Sequence, residues 1–115
     1  MNAASSIHLT IFGMQPVVVH GSEELKARTL PRVATGEIHV CFGVTEPGAG
    51  LDTSRITTFA KRDGDRYVVN GRKVWISKAM ESDKILLLTR TQTYDEVAKK
   101  TDGMTLFLTD LDRSR

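Results

Sequence analysis

Two stretches hold the residue types that could do chemistry: GVTEPGAGLDT over residues 43–53 and GRKVWIS over residues 71–77. In the first, Gly48 and Gly50 leave backbone N–H groups unshielded, so a phosphate or carbonyl oxygen can approach the main chain closely. A dinucleotide fingerprint of the G-x-G-x-x-G kind is not completed. Its third glycine is absent, and Asp52 to Arg55 lead toward a hairpin, not a helix. No Lys-Ser or Lys-Thr pair follows the glycines within this loop to cradle a phosphate. On its residues alone the stretch is either a ligand-facing loop or a tight turn between strands. Trp75, the one tryptophan, is either core packing or an aromatic wall. Thr45 and Ser77 offer hydroxyls, and Glu46 is either a catalytic carboxylate or a loop-shaping one. His8, His20 and His39 share no metal-ligand spacing and have no paired cysteines, so zinc is not expected.

The elements that must position these residues are a helical beginning and a strand-rich remainder. Ile7, Ile11 and Met14, with Phe12 nearby, recur close to the helical period and predict a helix over residues 3–15. Ser22 can cap a second, short helix. Glu23 and Glu24 fall in its first turn, Lys26 and Arg28 follow, Pro31 marks the stop, and Leu25 and Leu30 face inward. IHVCFGV alternates apolar side chains and predicts a strand from Ile38 to about Val44, with Cys41 as a buried thiol. Asp63-Gly64 and Asn70-Gly71 both favour two-residue hairpin turns, which predicts a three-strand meander between Ile56 and Ser77. Tyr67 and Val69 share one face of its middle strand, and Lys73 and Trp75 one face of its third. KILLLTR (84–90) and GMTLFLTD (103–110) predict two further strands. The polar stretch between them reads as an excursion loop with one helical turn. An open sheet of this size has edges that need cover.

A length of 115 residues allows one domain with one modest core. Hydrophobic residues at 40% and charged residues at 26% are ordinary globular values. Lys and Arg exceed Asp and Glu only by 16 to 14, without blocks of like charge, which argues against nucleic-acid binding. A single cysteine excludes an internal disulfide framework. The first residues, MNAASSIHLTIFGMQPVVV, lack a basic n-region, and no run approaches the ~18 apolar residues of a membrane helix. The chain is therefore expected to be soluble, unexported and cytoplasmic, with no membrane partner.

FGVTEPGAGLDT followed by KRDGDRYVVNGRKVWIS closely resembles the middle β-domain of the acyl-CoA dehydrogenases, FAD-dependent enzymes of fatty-acid and amino-acid breakdown. The resemblance is strongest over residues 38–90. FGMQPVVVHGSEELKARTLPRV resembles the two helices leading into that domain, and residues 84–110 fit more loosely. It implies an α+β fold, with short helices over residues 1–35 and a mainly antiparallel β-sheet or partial β-barrel over residues 36–115.

The resemblance also implies a flavin site. Phe42, Val44 and Thr45 would line the ring, with Thr45 hydrogen-bonded to its polar edge. Gly50 would approach the pyrophosphate, Trp75 and Ile76 would pack near the ring, and Ser77 would offer its hydroxyl to flavin N5, the hydride acceptor. Many relatives have Thr in place of Ser77, which keeps the hydroxyl. Many have Ser in place of Leu51, which would meet the pyrophosphate or the pantetheine arm of the substrate. Leu51 cannot hydrogen-bond there, leaving Thr53 or a backbone amide to compensate. In the family, a glutamate base removes the α proton of an acyl-CoA thioester while hydride leaves the β carbon. That base, and the oligomer contacts, come from a C-terminal helical domain. The chain is expected to be a fragment, or the product of a shortened reading frame, that associates with copies of itself and does not turn over acyl-CoA unaided. Two alternatives stay open: part of an acyl-CoA oxidase, or a non-enzymatic β-domain that self-associates or binds a partner without cofactor.

Overall fold

A computed structural model of the chain describes His8, residues 13–112 and Ser114. Helical residues 13–20 (α1) and Glu23–Ala34 (α2) precede strands Val40–Gly43 (β1), Phe59–Asp63 (β2), Arg66–Asn70 (β3), Lys84–Arg90 (β4) and Met104–Asp110 (β5). The strands form an unclosed mixed sheet of order β1-β4-β2-β3, with β5 also paired to β4. The chain divides into two compact units. One takes residues up to Phe42, Ser77–Leu86 and Thr109 onward, and the other takes Gly43–Ile76 and Leu87–Leu108.

In the first unit, α1 buries Met14 and Val17 on one face and runs past Gly13 and Pro16 to His20. Most of the span predicted for this helix, residues 3–7 and 9–12, lies outside the described residues. α2 starts as its sequence dictates: the Ser22 hydroxyl accepts the Leu25 N–H at 3.2 Å, and Glu23 and Glu24 face the positive end of the helix dipole. It does not stop at Pro31. A proline lacks an N–H but keeps its carbonyl, which accepts the Thr35 N–H at 3.1 Å, and the end is closed by Gly36 at φ 77° donating to Val33. Thr29 and Val33 form the buried face, while Leu25 and Leu30 are only half-buried. β1 is shorter than the predicted Ile38–Val44. Cys41 is buried as expected, its thiol 3.7 Å from the Lys84 carbonyl.

In the second unit, β2 and β3 pair antiparallel from Phe59↔Asn70 to Asp63↔Arg66. The loop is Gly64-Asp65, one residue beyond the predicted Asp63-Gly64, because Gly64 supplies the positive φ of 65° at the first turn position. β2 meets β4 in parallel at Phe59↔Arg90, and the Tyr67 and Phe107 rings lie 4.9 Å apart. The third strand of the predicted meander is absent. Residues 71–76 are irregular, and Asn70-Gly71 makes no hairpin. A Cβ on Gly71 would lie 2.2 Å from the Thr58 hydroxyl oxygen, so the chain runs hard against Thr58 there. The predicted helical turn in the excursion loop forms at Tyr94–Glu96, where the Glu96 carboxylate accepts the Thr93 N–H at 2.7 Å.

Arg90, at the end of β4, organises that excursion. Its side chain is buried, and its guanidinium donates to the carbonyls of Ser54 (2.7 Å), Ile56 (3.1 Å), Asp102 (3.1 Å) and Lys100. The Tyr94 ring covers it at 3.9 Å, and the Tyr94 hydroxyl lies 2.9 Å from both the Ser54 and Ile56 carbonyls. Among the described residues no helix is long and apolar enough to cross a membrane, and no group of three His, Cys, Asp or Glu could hold a metal.

Candidate functional site

The second unit brings the two chemically suggestive stretches together. The Val74 N–H donates to the Thr45 carbonyl at 2.9 Å, and the Lys73 ammonium donates to the Val44 carbonyl at 2.9 Å. Between them the chain reverses at Pro47-Gly48, where Glu46 and Ala49 exchange backbone hydrogen bonds of 3.3 and 3.0 Å. Residues 73 and 74 are thereby tied to this bend. That contact outcompetes the hairpin signal of Asn70-Gly71.

Glu46 sits at the centre and is almost fully buried. Its carboxylate accepts the Lys73 ammonium at 2.8 Å, the Thr57 N–H at 2.7 Å, the Thr57 hydroxyl at 3.0 Å and the Thr58 N–H at 3.0 Å. Burial works against its charge, but the Lys73 ammonium and the threonine donors outweigh it and hold the carboxyl at about 2. A carboxylate held so acidic is a poor proton acceptor near neutral pH. Glu46 shapes the loop.

Beyond this buried knot the surface is open. Gly48 and Gly50 have no left-handed φ, and a Cβ on either would meet nothing within 4 Å. The fold itself therefore gives no reason for glycine at either position. Leu51 is fully exposed, and Trp75 is 90% exposed with φ at 58°. The reading of Trp75 as core packing does not hold. For so bulky a residue the left-handed region is an outlier, and such strain gathers where a surface is used. Val44, Thr45 and Ile76 are half-buried alongside. The set offers bare main-chain amides to oxygen acceptors and a bare indole to a flat ring. Phe42 and Ser77 belong to the other unit. Phe42 lies 3.7 Å from where a Cβ on Gly13 would stand, and Ser77 is exposed at the start of a turn.

Three features were not anticipated from sequence: Lys73 as the partner of Glu46, Arg90 as a hub, and a cavity of about 330 Å³ lined by Arg55, Tyr94 and Lys100. Near it, the exposed Asp52 carboxyl is held below the usual range by the Ser54 hydroxyl, and further by the positive Arg55 and Lys100. Those two cations suit the cavity to an anion.

Residues 41–115 match the acyl-CoA dehydrogenase middle-domain family. The chain belongs to the acyl-CoA dehydrogenase family. It is 42% identical over 101 residues to acyl-CoA dehydrogenase FadE26 of Mycobacterium tuberculosis, covering 87% of this chain and 25% of that one. The crystal structure of acyl-CoA dehydrogenase from Geobacillus kaustophilus superposes with a TM-score of 0.77 at 35% identity, over 84% of this chain and 25% of that one. A glutaryl-CoA dehydrogenase from Mycobacterium smegmatis in complex with FADH2 superposes with a TM-score of 0.73 at 35% identity, over 85% and 23%. The chain spans about a quarter of the length of the curated relatives it matches. The two helices and unclosed five-strand sheet of this chain superpose on solved acyl-CoA dehydrogenases.

Proposed function

We propose that this chain forms one wall of the flavin site of an FAD-dependent acyl-CoA dehydrogenase, the class of enzyme that removes two hydrogens across the α,β bond of an acyl-CoA thioester. The observation that carries this reading is the 2.9 Å hydrogen bond from the Val74 N–H to the Thr45 carbonyl. It sets a glycine-bared bend beside an indole that the fold leaves in solvent. FAD, when bound, supplies the hydride acceptor. The chain's own residues bind and orient it. Gly50 would let pyrophosphate oxygens reach the main chain, Thr45 would hydrogen-bond the polar edge of the ring, and Trp75 with Val44 and Ile76 would exclude water from the ring. Leu51, lacking a side-chain donor, would give the pyrophosphate no hydrogen bond and would serve only as an apolar contact for the pantetheine arm. Arg55 and Lys100, which line the cavity, would receive the phosphate-bearing end of acyl-CoA. Phe42 and Ser77 carry no part of this reading. The similar Mycobacterium smegmatis structure, which holds FADH2, supports it.

Trp75 provides the test, since it is the sole tryptophan. FAD added to the purified 115-residue chain is expected to quench its emission, and a flavin band near ~450 nm is expected to survive dialysis. A colourless chain whose emission FAD leaves unchanged overturns flavin binding here. For the cavity, Arg55→Glu with Lys100→Glu should weaken acyl-CoA binding at low salt without altering FAD quenching. Equal acyl-CoA affinity in the two proteins removes these cations from the site.

A further inference from the structure

We propose that Glu46 and Lys73 are positioning residues: their buried ion pair latches the segment bearing Trp75 to the glycine bend and so presents the indole to the flavin. The second clause rests on the flavin reading; the first does not.

The geometry behind the latch is local and redundant. Lys73 is 9% exposed and Glu46 4%, so the pair lies out of solvent, where screening does little to weaken it. The ammonium does two things at once, donating to the Glu46 carboxylate at 2.8 Å and to the Val44 carbonyl at 2.9 Å. The carboxylate in turn takes two backbone N–H groups, from Thr57 and Thr58. One residue further on, the Val74 N–H reaches the Thr45 carbonyl. Three stretches of chain, at 44–46, 57–58 and 73–74, are thereby tied at a single point.

Trp75 follows immediately, with its side chain in solvent and its backbone at φ 58°. A bulky residue stays in that region only where its surroundings over-determine it. Packing of the indole cannot supply that constraint, because the indole is 90% exposed. The hold must come through the backbone, and the fixed groups nearest in sequence are the Val74 N–H on the Thr45 carbonyl and the latch beside it. Trp75 depends on what precedes it for its direction.

A merely structural ion pair and a positioning one make different predictions for a neutral replacement. Exchanging both charges for uncharged groups of similar volume removes the penalty of a lone buried charge, so stability recovers, while directional bonds from Lys73 to two acceptors are gone. The 115-residue chain carrying Glu46→Gln with Lys73→Met is therefore compared with wild type. Global unfolding is followed by far-UV circular dichroism, and local order by the fluorescence anisotropy of Trp75. The expected result is a denaturant midpoint restored relative to Lys73→Met alone, together with anisotropy reduced toward that of a freely rotating indole. Wild-type anisotropy in the folded double variant overturns the latch. Should the double variant fail to fold, Lys73→Arg and Lys73→Gln carry the test: Arg, which can keep the charge pair, retains the anisotropy, and Gln loses it. Equal anisotropy in those two folded variants likewise overturns it. FAD quenching of the wild-type chain is scored separately. Its absence alongside a mobile Trp75 in the variants overturns the flavin reading and the presenting role, and leaves the latch standing.

Discussion

Gly71 and Gly50 stand in neighbouring irregular stretches of one unit, yet the molecule needs only one of them for its own folding. A Cβ on Gly71 would strike the Thr58 hydroxyl oxygen at 2.2 Å and the Thr58 Cα at 2.7 Å. A Cβ on Gly50 would meet nothing, and its φ is one that any residue accepts. The first belongs to a buried knot with Glu46, Thr57, Thr58 and Lys73, in which the Glu46 carboxylate takes four donors and the Thr58 hydroxyl alone lacks a partner. The second belongs to an open lip with Gly48, Leu51 and Trp75, where apolar and main-chain groups are left to water. Knot and lip are joined through a few residues of backbone. What is saturated holds the fold, and what is unspent is available to something outside the chain.

Mutations should break the two regions differently. The largest loss is expected from Lys73→Met, which leaves the Glu46 carboxylate buried without its counter-charge. About 3–5 kcal/mol of stability should go, read as a shift in the urea midpoint. A midpoint within error of wild type would mean that the carboxylate is solvated or protonated, and that the knot is looser than its distances imply. Gly71→Ala comes next. The hydroxyl, Cβ and Cα of Thr58 all stand in the way of the new methyl, so chain 71–73 must move off Thr58 at a cost of about 1–3 kcal/mol. An unchanged midpoint there would erase the contrast with Gly50.

The lip was legible in the sequence and the knot only partly so. Pro47, Gly48 and Gly50 announce themselves by backbone chemistry that operates within a few residues, and the hairpin between β2 and β3 was found for the same reason. Asn70-Gly71 gives an equally local signal and misleads. The contacts that decide its conformation, from Lys73 to Glu46 and from Val74 to Thr45, cross 27 and 29 residues of sequence. Pro31 misled for another reason. Its ring removes one donor, but the carbonyls of Pro31 and Val33 still find partners in Thr35 and Gly36, and α2 runs on to Ala34. Arg90 was invisible because it closes an apolar run, where a charge reads as a strand end meeting water. Instead its guanidinium donates to four carbonyls from two separate turns. Long-range polar pairing leaves no periodic trace.

Acid sharpens the same division. Glu46 holds a folded-state pKa of about 2 against 4.5 for the free group. The unfolded chain therefore takes up a proton first as pH falls. The contribution of Glu46 is fully present above the unfolded value and is lost progressively from about pH 4.5 down through about pH 2. Urea midpoints measured across that range should slope downward in wild type and slope less in the folded Glu46→Gln, Lys73→Met double variant. Equal slopes would assign acid lability to other carboxylates.

The smallest effect on stability is the most telling for function. Gly50→Ala should leave the urea midpoint within about 0.5 kcal/mol of wild type, since the methyl projects into open space and the backbone needs no left-handed turn. Alanine also narrows the unfolded ensemble, which acts toward slight stabilisation. If main-chain amides at this bend receive pyrophosphate oxygens, the same methyl stands where the ligand must come closest. FAD quenching of Trp75 should then weaken several-fold while the fold stays intact. A loss of stability would move Gly50 from the lip into the knot. Unchanged quenching with unchanged stability would leave glycine at this position with no function in either region, and the lip would have to be redrawn around Trp75 alone.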